Sequence, residues 1–230
     1  MPIILDRSMP ENIKQNIGKL FNLDYIDSYA LTTLPPPLCT HPDIQIHFLS
    51  PEIAICAPEC YEYYAEVFGK NKYKLLRGSS VPGGTYPADT AYNIARVGNH
   101  VFANTRFAEP LIVDYYISHG FEVHHINQGY AKCSMCIPSE NAVITEDRGI
   151  YKTLSGISDI HSLVIEPGGV RLSGYDCGFI GGCSGLVNDT IVFTGRIPKD
   201  IRMFLDLQNI KYFEASDDEL VDFGSIIYRR

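Results

Sequence analysis

The sequence predicts an α/β fold in one domain spanning residues 1–230. The chain is long enough to bury a substantial core, with 45% hydrophobic and 20% charged residues. A pattern of strand, turn, amphipathic helix and strand recurs along it. A further strand is predicted before each copy. We therefore expect five modules, each in the order strand, strand, helix, strand.

The clearest copy is NHVFANTRFAEPLIVDYYISHGFEVHHI, residues 99–126, in which Gly120 is predicted to end the helix. Shifting the sequence by 42 residues places Arg148 on Arg106, and a shift of 90 residues places Arg196 there. A weaker copy lies 48 residues upstream, where Pro58 replaces the arginine. Several copies in phase indicate a repeat architecture.

The two ends of the chain are predicted to complete one further module. Residues 2–29 fit the pattern with Arg7 in the arginine position, but nothing precedes them to supply the first strand. The C-terminal segment VDFGSIIYRR reads as a strand without a module. We expect a strand over Gly224–Tyr228 to pair with Pro2–Leu5, because this pairing would close a five-part ring without a free sheet edge.

Composition argues against several classes of protein. Nineteen basic and 27 acidic residues give a net charge of −8, whereas nucleic-acid binding needs a basic face. No apolar run approaches the roughly 18 residues of a membrane span, and the N-terminus lacks the pattern of a signal peptide. Seven cysteines without regular spacing indicate reduced thiols. We expect a cytoplasmic protein that contacts neither nucleic acid nor membrane.

Two kinds of feature carry a resemblance to a known family. One is the module count, the module order and the terminal closure, and the other is the set of segments HPDIQ, YPADTAYN and GYDCGFIGGCSG. With these features the sequence resembles the pentein superfamily of guanidine-group-modifying enzymes. Within it, the three segments are most similar to an uncharacterised bacterial family. The resemblance implies a five-bladed α/β-propeller whose first strands point at a central axis. The superfamily contains amidinohydrolases and amidinotransferases and also the non-catalytic translation initiation factor 6, so the fold leaves the function open.

The resemblance implies catalytic roles for three residues. Cys183 lies between glycines in the last complete module, where the superfamily's nucleophile is found. His41 and Asp43 resemble the His-x-Asp motif of the general acid and base. The order departs from the enzymes, in which that histidine belongs to the module just before the nucleophile's. A buried filler role for Cys183 and a turn role for His41 and Asp43 are the structural alternatives.

Four further residues are predicted to bind substrate. Asp89 resembles the aspartate that holds the guanidinium group, and Asn93 lies four residues later on the same face of a predicted strand. Gln45 matches Asn93 in the repeat register, and Asp176 lies in a glycine-rich loop expected to cover the ligand. The alternative for Asp89 is a side chain that caps its own turn.

No metal or cofactor is predicted. Cys133 and Cys136 form a lone C-x-x-C, and the glycine-rich loops lack phosphate-binding spacing. Two hypotheses follow. The first is a cysteine-dependent hydrolase or amidinotransferase for a small cationic guanidino or amidino compound. The second is a non-catalytic pentein whose axis is filled by Asn93, Gln45 and Cys183 and which binds a protein or small molecule. A homodimer is left open.

Overall fold

The computed structural model describes residues 2–69 and 73–229 and has the predicted α/β fold. The chain begins with β1 (Ile3–Leu5), α1 (Glu11–Phe21) and β2 (Tyr25–Asp27), and the two strands pair in parallel. The helix buries Ile13 and Ile17, which are one turn apart, and ends at Asn22 in the left-handed conformation. A one-turn helix follows, α2 (Pro42–Gln45).

Within the described ranges, four later segments share one topology. Each has two antiparallel strands, a helix and a third strand parallel to the second. The first unit has β3 (Ile46–Ser50), β4 (Ile53–Cys56), α3 (Tyr61–Phe68) and β5 (Lys74–Arg77). The second has β6 (Ala95–Val97), β7 (His100–Ala103), α4 (Pro110–Ser118) and β8 (Glu122–His125). The third has β9 (Cys136–Ser139), β10 (Ala142–Thr145), α5 (Arg148–Leu154) and β11 (His161–Val164). After a short strand, β12 (Val170–Arg171), the fourth has β13 (Ser184–Val187), β14 (Thr190–Phe193), α6 (Lys199–Leu207) and β15 (Lys211–Glu214).

The helices of these units pack on their own sheets through one apolar face. In α6, Ile201 and Leu205 are buried while Met203 and Leu207 face solvent, as the spacing of one helical turn requires. The helix predicted within residues 99–126 is confirmed as α4, and Gly120 follows its end with a φ of 81°. No helix within the described residues is long and apolar enough to cross a membrane.

The predicted C-terminal strand over Gly224–Tyr228 is wrong. The last strand is β16 (Leu220–Val221), which pairs in parallel with β12. Beyond it, positive φ angles at Gly224 and Ser225 interrupt the extended conformation. The ends of the chain do meet, because Ile4 donates a backbone hydrogen bond to Ile227 at 2.9 Å and accepts one at 3.1 Å. The described strands form separate small sheets rather than a closed one.

Candidate functional site

The predicted site residues lie before the first strand of each unit rather than within it. The sequence predicted strands from positions 43, 91, 133 and 181, but the observed strands begin at Ile46, Ala95, Cys136 and Ser184. Asp43 and Gln45 belong to the one-turn helix α2. Asp89 and Asn93 lie in turn and irregular backbone, so the strand-face argument that placed them together is wrong. Both side chains are nevertheless buried.

Asp43 lies at the centre of a buried polar cluster, which we define as Asp43, Asn93, Cys133 and Ser225. Its Oδ2 atom accepts hydrogen bonds from the Cys133 thiol at 2.8 Å and from the Ser225 hydroxyl at 2.7 Å. Its Oδ1 atom is buried without a hydrogen-bond partner among the described residues. A carboxylate that is 1% exposed and only half satisfied is costly, which marks this position as a candidate ligand contact.

Asn93 holds the backbone of the segment that carries Cys133. Its Oδ1 atom accepts from the amides of Lys132 and Cys133, at 2.8 and 3.1 Å, and its Nδ2 atom donates to the Cys133 sulfur at 3.2 Å. Burial, the charge of Asp43 and the hydrogen bond to it all raise the pKa of the Cys133 thiol well above its usual range. The thiol is therefore protonated at neutral pH and donates to Asp43.

His41 faces a second buried carboxylate, that of Asp222. The His41 Nδ1 and Asp222 Oδ1 atoms are 3.9 Å apart. Asp222 also accepts backbone hydrogen bonds from Phe179 and Gly224, both at 2.9 Å. Burial raises the pKa of Asp222, and the neighbouring imidazole opposes that shift. The sequence analysis did not predict Asp222 as a site residue. Its position in the C-terminal segment, which was predicted to complete the first module, could have indicated it.

Asp89 is the third buried carboxylate. Its Oδ2 atom accepts a 2.5 Å hydrogen bond from the Tyr130 hydroxyl, and its Oδ1 atom is buried without a hydrogen-bond partner in the described part of the chain. Burial raises the pKa of Asp89, and the bond from Tyr130 partly offsets the shift. The ring of Tyr86 lies against that of Tyr130, with centroids 5.5 Å apart. Two packed tyrosine rings therefore lie on the side of Asp89 that carries its hydrogen bond.

A cavity of about 160 Å³ lies beside these groups, and Asp43 and Asp89 are joined to it only through their hydrogen bonds with Cys133 and Tyr130. Its polar lining is His41, Tyr130, Cys133 and Asp222, and the remainder is apolar or aromatic: Leu38, Ile44, Leu172, Tyr175, Cys177 and Phe179. A small, mostly apolar cavity with a few convergent polar groups is typical of a ligand site. Tyr175 comes from the glycine-rich loop that was expected to cover a ligand.

Cys183, the predicted nucleophile, lies elsewhere. Its sulfur donates to the Ile180 carbonyl at 3.2 Å, and the side chain belongs to an apolar cluster rather than to the lining of this cavity. Burial raises its pKa well above the usual range. The flanking glycines serve backbone packing, because a Cβ at Gly181 would lie 2.2 Å from the Lys132 carbonyl oxygen. Gly182 donates its amide to the Cys133 carbonyl at 3.0 Å.

Gln45 and Asp176 also lie apart from the cavity. The Gln45 amide is engaged by Tyr29 and Tyr64, accepting from the Tyr29 amide at 3.0 Å and from the Tyr64 hydroxyl at 2.9 Å. It therefore fixes the segment before α2. Asp176 is exposed, and its neighbours Tyr175 and Cys177 line the cavity instead. Substrate-binding roles for these two residues remain predictions.

A family model described as a family of unknown function, DUF6873, matches residues 4–227. The chain belongs to this family. No curated protein matches it. Among solved structures it is similar to DDAH from Pseudomonas aeruginosa, solved as a C249S mutant complexed with citrulline. The TM-score is 0.57 at 9% identity, and the match covers 97% of this chain and 95% of that one. A dimethylarginine dimethylaminohydrolase adduct with 4-chloro-2-hydroxymethylpyridine gives a TM-score of 0.55 at 13% identity, with 92% and 90% coverage.

These similarities extend over nearly the whole of each chain. The resemblance to the pentein superfamily, to which dimethylarginine dimethylaminohydrolase belongs, is therefore confirmed at the level of the fold. At 9% and 13% identity, they assign no role to any residue.

Proposed function

We propose that the cavity beside His41 binds a small guanidinium or amidinium compound and that the chain hydrolyses this compound, or transfers its amidino group, through a cysteine thiol. One observation carries the proposal. The buried Asp222 carboxylate lines one small cavity together with an imidazole and a thiol, and the buried carboxylates of Asp43 and Asp89 accept hydrogen bonds from Cys133 and Tyr130 of that lining. The neighbours in the fold support it, since one of them was solved with citrulline, a ureido compound.

The charge of the site favours a cation. Asp43 and Asp89 each keep one buried oxygen without a partner among the described residues. A guanidinium group offers five N–H donors in a plane to such oxygens, and its charge offsets the cost of burying carboxylates. Binding would also lower the pKa of Asp89 and Asp222, which burial raises.

Cys133 and Cys177 both line the cavity, and we assign the nucleophilic role to Cys133, in place of Cys183, because Cys133 contacts the buried groups Asp43 and Asn93. A bound cation favours its thiolate, which opposes the pKa rise caused by burial and Asp43, and the thiol gives its proton to His41, the imidazole that lines the same cavity. The thiolate sulfur attacks the central carbon of the guanidinium group. The C–S bond forms as a C–N bond breaks, and protonated His41 gives a proton to the departing amine.

Water completes the hydrolysis. It attacks the same carbon and gives one proton to His41 and one to solvent, and the C–S bond then breaks. This releases a ureido compound and restores the thiolate. In a transferase, an acceptor amine takes the place of water. Asp222 accepts backbone hydrogen bonds on both oxygens and is placed to orient His41 rather than to react.

The proposal includes the arrangement of the five modules around one axis, as in a five-bladed propeller. The two-way hydrogen bond between Ile4 and Ile227 supports this arrangement, because it joins the first module to the end of the chain. The hydrogen bonds from Cys133 and Ser225 to Asp43 support it as well, since they link turns from three modules.

Ligand binding is the first test. Calorimetry with arginine, agmatine and methylated arginines should give saturable binding to the wild type, at least tenfold weaker in Asp89→Asn. Asp206→Asn, which changes an exposed aspartate of α6 outside the cavity lining, is the matched control and should bind normally. Absence of binding by the wild type at millimolar concentrations would contradict the proposal.

Covalent labelling is the second test. A haloacetamidine carries an amidinium group beside a leaving group, so it should label Cys133 first, and Cys133→Ser should abolish that labelling while Cys183→Ser retains it. Labelling of Cys183 alone would restore the original assignment of the nucleophile. Release of amine or ammonia from the bound compound distinguishes turnover from binding.

A non-catalytic binding protein is the second candidate. The hydrogen bonds among Asp43, Asn93, Cys133 and Ser225 keep the thiol protonated, which favours a stable core over a reactive site. Saturable binding without product formation would favour this candidate.

A further inference from the structure

Two histidines and a glutamate meet on one face of the sheet formed by β6, β7 and β8, apart from the cavity described above. His100 opens β7, and Glu122 and His124 belong to the neighbouring parallel strand β8. In the strand register His100 lies opposite Glu122, and His124 follows two residues later on the same face. The parallel pairing therefore presents the three side chains to one point.

The distances between their ligand atoms suit a metal ion. The Nδ1 atom of His100 lies 3.0 Å from Nε2 of His124 and 3.6 Å from Oε2 of Glu122. All three ligand atoms lie within 4.8 Å of one another. In tetrahedral zinc sites with bonds of about 2.0–2.1 Å, neighbouring ligand atoms are separated by about 3.3–3.4 Å. Small side-chain shifts convert the observed triangle into one face of that tetrahedron.

Neighbouring side chains hold the two imidazoles of His100 and His124 in place, as metal sites require. The other ring nitrogen of His100, Nε2, lies 3.4 Å from the Asp159 carboxylate, which would hold His100 with Nδ1 free to ligate. The ring of Phe102 stacks on His124 with centroids 4.9 Å apart. His100 is 7% exposed, whereas the Glu122 side chain is 65% exposed and gives an ion access from solvent.

We propose that His100, Glu122 and His124 bind one divalent transition-metal ion of the zinc type, with water in the fourth position. Two imidazoles with one carboxylate form a set of ligands that suits zinc better than calcium or magnesium, which prefer oxygen ligands only. The charges of Glu122 and Asp159 balance that of the ion. Bound metal replaces the hydrogen bond between the two imidazoles and ties β7 to β8.

Titration of the chelator-stripped protein with Zn²⁺ and Co²⁺ tests the site. We expect one tight ion per chain, a rise in melting temperature, and a Co²⁺ spectrum with tetrahedral intensity but no sulfur-to-metal charge-transfer band. The last feature separates this site from binding by any of the seven cysteines. Glu122→Gln, an exposed substitution that should leave the fold intact, is expected to weaken binding at least tenfold, and His124→Gln at least a hundredfold.

His125→Gln is the matched control. His125 follows His124 directly but contacts the Thr105 hydroxyl, at 2.8 Å, so its removal should leave metal affinity unchanged. Asp159→Asn should weaken binding by about 10-fold, the usual effect of losing a group that orients a ligand. Equal affinities for the Glu122, His124 and His125 variants, or no binding by the wild type at micromolar metal, would overturn the proposal.

Discussion

The Cys133 thiol donates a 2.8 Å hydrogen bond to Asp43 across 90 residues of sequence. This contact joins the turn before one unit to the turn before another. It also couples the chemistry of the two groups, because a carboxylate that accepts from a thiol stabilises the protonated sulfur. Burial and the neighbouring carboxylate therefore both oppose ionisation of Cys133.

Replacing Asp43 by asparagine should make Cys133 more reactive. The substitution removes a charge and a hydrogen bond that both raise the pKa of the thiol. We expect alkylation of Cys133 at pH 8 to become several-fold faster, at a cost of about 1–3 kcal/mol in stability. The measurement is iodoacetamide labelling followed by peptide mapping, with the half-buried Cys177 as internal reference. An unchanged or slower rate at Cys133, with Cys177 labelled as in the wild type, would contradict the coupling.

The order of elements within each unit could be predicted from the sequence because it depends on local periodicity. The strands and helix expected within residues 99–126 are β7, α4 and β8, and Gly120 follows the helix as predicted. Such patterns need only neighbouring residues, since each helix or strand buries one face against its own unit.

The identity of the reacting groups could not be predicted in the same way. The alternation in DIQIHF fits a strand, but Pro42 favours a helix start, and Asp43 lies in α2. Its contacts with Cys133 and Ser225 join positions 90 and 182 residues away. The backbone reaches Asp43 at Ser225 through a positive φ of 71° at Ser225 itself. Serine rarely adopts this conformation, so the residue type does not predict it.

Gly224 should be essential to the site. It has a φ of 65°, and a Cβ there would lie 2.3 Å from the Cβ of His41 and 2.4 Å from its Cγ. Gly224→Ala should therefore displace His41 and weaken ligand binding at least tenfold, in addition to destabilising the fold. Calorimetry and urea denaturation measure the two effects.

Gly168→Ala separates the clash from backbone strain. Gly168 also has a positive φ, 100°, but no heavy atom lies within 4 Å of a Cβ placed there. The free energy of unfolding of this control should fall by only about 1–2 kcal/mol, because alanine disfavours this backbone conformation. Its ligand binding should be normal. Equal effects of the two substitutions on binding would mean that contact with His41 is not what makes Gly224 necessary.

Glu146 should make the protein less stable as pH rises. Its Oε1 atom accepts from the Ile180 amide at 3.0 Å, and its Oε2 atom is buried without a partner among the described residues. Burial raises its pKa from the model-peptide value of 4.5 to about 7. Between these two values the unfolded chain loses this proton while the folded chain keeps it, so stability falls with pH by up to about 3 kcal/mol from this group.

Glu146→Gln removes that titration and isolates it from the other buried carboxylates. Urea denaturation at pH 4.5, 6 and 8 should show the wild type losing stability relative to this variant, with most of the loss complete by pH 8. Glu66→Gln, which changes an exposed glutamate of α3, is the control. Its free energy of unfolding should differ from that of the wild type by the same amount at all three pH values. Parallel pH profiles for the wild type and Glu146→Gln would mean that Glu146 has the same pKa in the folded and the unfolded chain, and that its unpaired oxygen is solvated.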